Sequence, residues 1–463
     1  MGPGGIKRLQ KRTLGLALQS MLHPLLAWLT RGRIKRAIGW AGASKAVSEA
    51  ARYLRVLILA RLLAPQDFGV FGIALLVLGV LEAFTEPGFK VALVQRPEGV
   101  RRYLNSVFIA CALRGFALGV LVWAIAPLAA RFWNVPESEP VIASIGVVVA
   151  LRGLANPAAV LLERELAFGK IFVWNCLEAA ASLCVGVLLA WQGFGPWALA
   201  ASLIAGEAAR SGASYYLKPW RPTLAMDWQA LRDLTRFSRW VMASNAAVFV
   251  GLQLDSAFVA KLVNPAALGF YQIAQRLASI PRTTVVTVLS QVAYPAMSAS
   301  QGNPLKLKKL LVRFWLLSAA AAGGFALALA VFAKPVVVVM LGQKWAAAAP
   351  LVCILALSHF LRSLSVIPSY FFLAAGHPAA TFRIAAARAA ALAVCIWPLT
   401  AVWDAAGAAW ACVGGAVAMN AVWTPAMIRA WPREKVQPPA DAVFEPAEVA
   451  AGQGSSEPRL GIG

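Results

Sequence analysis

Lys45, Glu49 and Arg52 fall at i, i+4 and i+7 of one apolar stretch, a spacing that sets all three on one helical face with Ser48 beside them. A second stretch carries Gln272, Gln275, Arg276, Ser279 and Arg282 on a broadly shared face, Glu82 and Glu86 stand four apart in a third, and Asp255 lies in a fourth. Charges inside long apolar segments are costly, so such side chains turn toward a bundle interior or a water-filled cavity and mark a path for a substrate or ion. Lys45, Arg52, Arg276 and Gln272 are therefore the candidate substrate-binding groups, and Glu49, Glu86 and Asp255 the candidate coupling or structural charges.

Each has a plainer reading as well. Glu49 with Arg52 makes a structural ion pair, and Asp255 pairs with a neighbouring span or couples an ion. Lys90, Arg210 and Arg282 reach a membrane surface by snorkelling. Arg152 and Arg362 occupy equivalent places in an internal repeat and read as packing groups. Enzyme chemistry finds no support. The histidines, His23, His359 and His377, lack metal-ligand spacing, the six cysteines sit in apolar segments without paired spacing, and no G-x-x-x-x-G-K-[ST] loop occurs. No metal, cofactor or catalytic residue is expected.

The elements that position these residues are membrane spans. The 463 residues are 60% hydrophobic and 14% charged, against about 25% charged in an ordinary soluble protein. Apolar runs long enough to cross a bilayer recur along nearly the whole chain, and Phe314–Ala333, Trp345–Leu361 and Ala405–Ile428 contain no Asp, Glu, Lys or Arg. About twelve spans are expected, near 37–62, 68–89, 104–130, 141–162, 171–191, 195–217, 237–262, 267–296, 312–334, 346–375, 379–401 and 404–428. The net charge of +23 resides in short clusters between them, which is topology control and not a nucleic-acid face. Residues 90–102, 164–170, 218–236, 306–313 and, less clearly, Arg383 and Arg388 form the basic set of alternate loops, so both termini face the cytoplasm.

The chain also repeats itself. Ala60-Arg61-Leu62-Leu63-Ala64-Pro65, with Gly69 and Phe71, is echoed by Ala260-Lys261-Leu262-Val263-Asn264-Pro265, with Gly269 and Tyr271. Two six-span units, an even number, insert with the same orientation as parallel repeats. The expected organisation is a basic extension over 1–35 lying on the cytoplasmic face or reflecting a misplaced start codon, an N-lobe over 36–217, a cytoplasmic linker over 218–236, a C-lobe over 237–430 and a disordered tail over 431–463.

Several pieces are familiar together. Leu59 through Pro65 with Asp67-Phe68-Gly69, Gly88 with Ala92-Leu93-Val94-Gln95-Arg96, Arg164 with Phe168 and Lys170, and Gly193-Phe194-Gly195-Pro196-Trp197-Ala198-Leu199 are four of them. Asp255 through Lys261 with Gly269-Phe270-Tyr271, Ala274, Arg276-Leu277, Pro281 and Tyr294-Pro295 is the most specific. The sequence resembles the Wzx-type polysaccharide exporters of the PST family, in the MOP superfamily with MATE drug exporters and the lipid II flippase MurJ, and most the colanic acid exporter subgroup. Phe237-Ser238 departs from the family's usual Phe-Gly.

The resemblance implies an all-α polytopic fold and a flippase for oligosaccharide units linked to undecaprenyl diphosphate, working by alternating access in the bacterial inner membrane. It implies membrane lipids as surroundings and a polysaccharide polymerase and export machinery as partners, with no nucleic acid. A MATE-like exporter of small cationic drugs and a non-transporting scaffold of a glycan-assembly complex are the alternatives; the first would favour an acidic cavity, the second paired and dispensable charges.

Overall fold

A computed structural model describes residues 32–430 apart from 87, 90–92, 94–99, 166, 224, 301–303 and 376–377. The expectations for residues 1–31 and 431–463, and the family piece at 92 and 94–96, lie outside the described residues, as does the side chain of Lys45. Every regular element among the described residues is helical. The long helices are Gly32–Leu62 (α1), Pro65–Thr85 (α2), Val100–Phe132 (α3), Ser138–Gly153 (α4), Phe168–Trp191 (α5), Pro196–Leu217 (α6) and Trp228–Leu262 (α7). There follow Pro265–Pro281 (α8), Thr287–Ser298 (α9), Pro304–Leu341 (α10), Ala349–Leu364 (α11), Val366–Ala374 (α12) and Pro378–Ala430 (α13).

Local chemistry sets the element ends. Pro65, Pro196 and Pro265 open α2, α6 and α8, where a missing N–H costs nothing. The Asp67 carboxylate accepts from the Ala64 N–H at 2.8 Å, and the Asn264 side chain accepts from the Ala267 N–H at 2.8 Å. Gly193 (φ +82°) and Gly195 (φ +54°) make the turn into α6, backbone that a side chain would strain. Three elements are broken. α4 bends by 69° into the short segment Pro157–Arg164. A π turn, Arg282–Val286, separates α8 from α9 directly after Pro281. α13 is interrupted at Trp403 and Asp404.

Among the described residues helix occurs in each of the twelve expected stretches, and six helices are long and apolar enough by length and composition to cross a membrane, or seven with bent α4 counted. α7 begins at Trp228, inside the stretch expected as a linker: residues 228–236 hold no Gly or Pro, so helix continues past the point where charge ends the apolar run. Outer helices carry their apolar side chains outward, with Trp123, Val394 and Val402 at least 70% exposed, as lipid-facing surfaces do.

Contacts repeat between the halves. α1 lies on α5, α3 on α4, α2 on α4 and α4 on α6; likewise α7 lies on α13, α10 on α11, α8 on α11 and α11 on α13. The α3–α4 pair approaches through small residues, and a Cβ on Gly153 would lie 2.4 Å from the Cys111 carbonyl oxygen. The halves meet along α2 and α8. Their starts touch reciprocally: a Cβ on Gly69 would lie 1.6 Å from the Pro265 carbonyl oxygen, and one on Gly269 would lie 2.0 Å from that of Pro65. A contact that maps onto itself when the halves are exchanged is what a two-fold relation between parallel repeats requires.

Candidate functional site

One end of the α2–α8 seam is sealed. Phe68 from the start of α2 and Phe270 from the start of α8 both pack edge-on against the fully buried Trp345 ring, with centroids 5.2 and 5.7 Å away. Trp345 donates its indole N–H to the Ala60 carbonyl at 2.7 Å, and Lys344 donates to the Arg61 carbonyl at 2.9 Å. Arg61 reaches back to the carbonyls of Met340, at 3.0 Å, and Val339. The cations here serve the last carbonyls of α1 and α10, where free acceptors and the helix dipole favour positive charge.

Away from the seal the seam opens into a cavity of about 400 Å³. Its walls come from the second half of α1, the middle of α2, the second half of α7, the second half of α8, the π turn and α11. Arg52, Arg276, Arg282 and Arg362 line it, against the single carboxylate of Glu49, with Gln272, Gln275 and Ser279 between them. A smaller space of about 120 Å³ adjoins it, lined by Arg55 and again by Arg276. Arg276 is solvent-exposed, and Arg52 is half-exposed and paired with Glu49. Neither Arg276 nor Arg362 has an ion-pair partner among the described residues, so the wall carries an excess of cationic donors aimed at one space.

Behind this wall Asp255 is 3% exposed and does not reach the cavity surface. It accepts from Tyr271 at 2.8 Å, Gln275 at 2.6 Å, the Ser256 N–H at 2.9 Å and the Cys412 thiol at 3.3 Å. Four donors on one carboxylate satisfy a buried charge, which is costly otherwise. The first half builds differently. There Arg152 bridges Glu82 (2.6 Å) and Glu207 (2.8 Å), and Arg210 pairs with Glu178 at 2.8 Å, around a second cavity of about 400 Å³ that also takes in Glu86 and Arg114.

A profile described as "Polysaccharide biosynthesis protein" matches residues 58–350, more than half of the chain. The chain belongs to this polysaccharide biosynthesis protein family. Among its relatives are the succinoglycan biosynthesis transport protein ExoT of Rhizobium meliloti, 29% identical over 70% of this chain, and the lipopolysaccharide biosynthesis protein WzxC of Escherichia coli, 22% identical over 70%. The match spans 66% of each of these two relatives, just under two thirds of their length. In fold, the family member resembles the lipid II flippase MurJ in an inward closed conformation, with a TM-score of 0.71 at 11% identity over 86% of this chain and 88% of that one. An inward-facing MATE multidrug transporter follows at 0.64, with 13% identity over 82% and 94% of the two chains. It is a multi-pass membrane protein with the fold of these transporters.

The family member's sequence candidates are only partly brought together. Arg52, Glu49, Gln272 and Arg276 share the central cavity. Glu86 lies at the other cavity and Asp255 behind the wall. Arg282, read as snorkelling, and Arg362, read as a packing twin of Arg152, line the central cavity instead. The register that sets Pro265 on Pro65 and Gly269 on Gly69 explains the difference, because Arg282 then falls on Glu82. The carboxylate that neutralises Arg152 in one half is a guanidinium near Arg362 in the other. Arg388, read among the loop cations, is half-buried inside α13 and donates to the Gly251 carbonyl at 2.9 Å. His359, set aside for want of metal-ligand spacing, is also in the cavity wall. Only the charge inversion at 82 and 282 was open to a reader of the sequence.

Proposed function

We propose that this protein is a flippase that carries lipid-diphosphate-linked oligosaccharides across the cytoplasmic membrane for surface polysaccharide synthesis. The observation that carries the reading is the cavity between the halves, with four arginines against one glutamate and a seal at one end. A diphosphate diester is a compact dianion, and guanidinium forks are its matching donors. The lipid stays in the bilayer while the head group enters the seam. The lobes, 36–217 and 237–430, then rock about the α2–α8 contact, breaking the Trp345 seal and closing the opposite end; such repeats place substrate between them. With about twelve spans and the basic loops inside, both termini and the open end face the cytoplasm, and the seal faces outward.

The names of the relatives support the pathway: succinoglycan transport for one, lipopolysaccharide biosynthesis for another, and lipid II flipping for the structural neighbour. No bond is made or broken in this reading. A cationic drug is a poor fit, since four guanidiniums in the wall repel it, and a scaffold gains nothing from unpaired guanidiniums. The test is a deletion strain: lipid-linked repeat units accumulate on the cytoplasmic leaflet while their synthesis continues, and surface polysaccharide is lost. A deletion that instead stops sugar assembly on the lipid refutes the reading.

A further inference from the structure

The cavity wall contains two buried polar atoms without a hydrogen-bond partner among the described residues, Nδ1 of His359 and Nε of Arg282, and Nε of Arg388, a charge that faces His359, is a third. Buried polar groups are satisfied in the great majority of cases, so unpartnered ones grouped together ask for an explanation. His359 is 4% exposed, on α11, and forms part of the cavity lining. Its Nε2 lies 2.8 Å from Oε1 of Gln275, whose amide Nε2 donates to Asp255 at 2.6 Å. This chain fixes the tautomer. An ionised carboxylate only accepts, so the Gln275 amide must turn its nitrogen to Asp255 and its oxygen to the imidazole. An amide oxygen also only accepts, so the ring proton sits on Nε2 and Nδ1 keeps a free lone pair.

The geometry points to Nδ1 of His359 as a proton-binding site that fills together with an anion in the central cavity, which makes the proton a co-substrate of the flippase. The inference rests on the reading of that cavity as a diphosphate site. The charges facing His359 are Arg362 on its own helix, Arg282 from the π turn and Arg388 from α13. Asp255 from α7, with Tyr271 and Cys412 bound to it, stands two hydrogen bonds away through Gln275. A proton on Nδ1 adds positive charge beside three guanidiniums, and a dianion among those guanidiniums offsets it. Anion and proton therefore strengthen each other's binding, and linkage makes the effect reciprocal. The step balances simply: a proton from water at the open end bonds to the Nδ1 lone pair, no bond of the imidazole breaks, and the added charge is met by the anion. When the opposite end opens and the anion leaves, the proton leaves with it.

Calorimetry on the purified full chain tests this with UDP-glucose, a diphosphate diester whose own charge does not change near neutral pH. Titrations in two buffers of different ionisation enthalpy count the protons taken up. The wild type should take up a fraction of a proton per bound UDP-glucose, a fraction that grows as the pH is lowered from neutral, and His359→Gln should bind without uptake. Binding by the wild type without uptake, or uptake retained in His359→Gln, overturns the inference and leaves the flippase reading standing. No binding by the wild type overturns both. A second measurement needs no change at the site: with His23→Gln and His377→Gln, His359 is the sole histidine, and its 15N spectrum should show Nδ1 moving from a lone-pair to a protonated nitrogen on adding UDP-glucose. An unchanged Nδ1 resonance in the bound state refutes the proposal.

Discussion

Replacing Gly69 with Ala should unseat the sealed end. The new Cβ would lie 1.6 Å from the Pro265 carbonyl oxygen, where ordinary contact begins at 3.4 Å, so the starts of α2 and α8 must part by about 1.8 Å. The obstacle is backbone and cannot be rotated away. Nearby Phe68 and Phe270 hold the Trp345 ring at contact distance, so parting their helices loosens that packing as well. Overpacking of this kind costs about 1–3 kcal/mol, and the strain exists only while the seal is closed. The equilibrium between sealed and unsealed states should therefore shift roughly 5- to 150-fold toward the unsealed state. The assay is labelling of Gln272→Cys, in a chain cleared of its six cysteines, by a membrane-impermeant maleimide added outside intact cells. Labelling should accelerate in Gly69→Ala and in Gly269→Ala, whose Cβ would lie 2.0 Å from the Pro65 carbonyl oxygen. Unchanged labelling in both variants, at normal abundance, would refute the close approach and the gate built on it.

Arg276→Ala should weaken UDP-glucose binding about ten- to a hundred-fold, from the loss of charge-assisted hydrogen bonds worth about 1.5–3 kcal/mol, while Arg276→Lys keeps charge without the fork and falls between; titration calorimetry reads both. Arg52→Ala should lower export normalised to membrane abundance, and adding Glu49→Gln, which removes the carboxylate left unpaired, should restore abundance but not export. Arg152→Ala should act on stability and not on binding, because it strands Glu82 and Glu207; abundance should fall and recover with Glu82→Gln and Glu207→Gln together, and low export at normal abundance would contradict this. A cysteine introduced beside Arg221 should resist external impermeant reagents in intact cells, and its labelling would reverse the proposed orientation.

Length and apolar content alone announced a helical membrane protein, because a bilayer leaves helices as the means by which such segments satisfy their backbone. The echo of Ala60–Pro65 in Ala260–Pro265 announced two related halves, and helical spacing set Glu49 and Arg52 on one face and Gln272 and Arg276 on another. Sequence spacing measures neighbours along one helix and is blind to neighbours across a seam. Arg152 and Arg362 are alike in sequence context, yet one is neutralised by Glu82 and Glu207 from two other helices, while the other lines a cavity beside Arg282. His359 and Asp255 are remote in the chain, and Gln275 joins them only once α7, α8 and α11 have packed. The residue types and their helical faces were properties of the sequence; which charges are cancelled and which are left facing the cavity was decided by packing between helices, because the cost of a buried charge depends on what lies across from it.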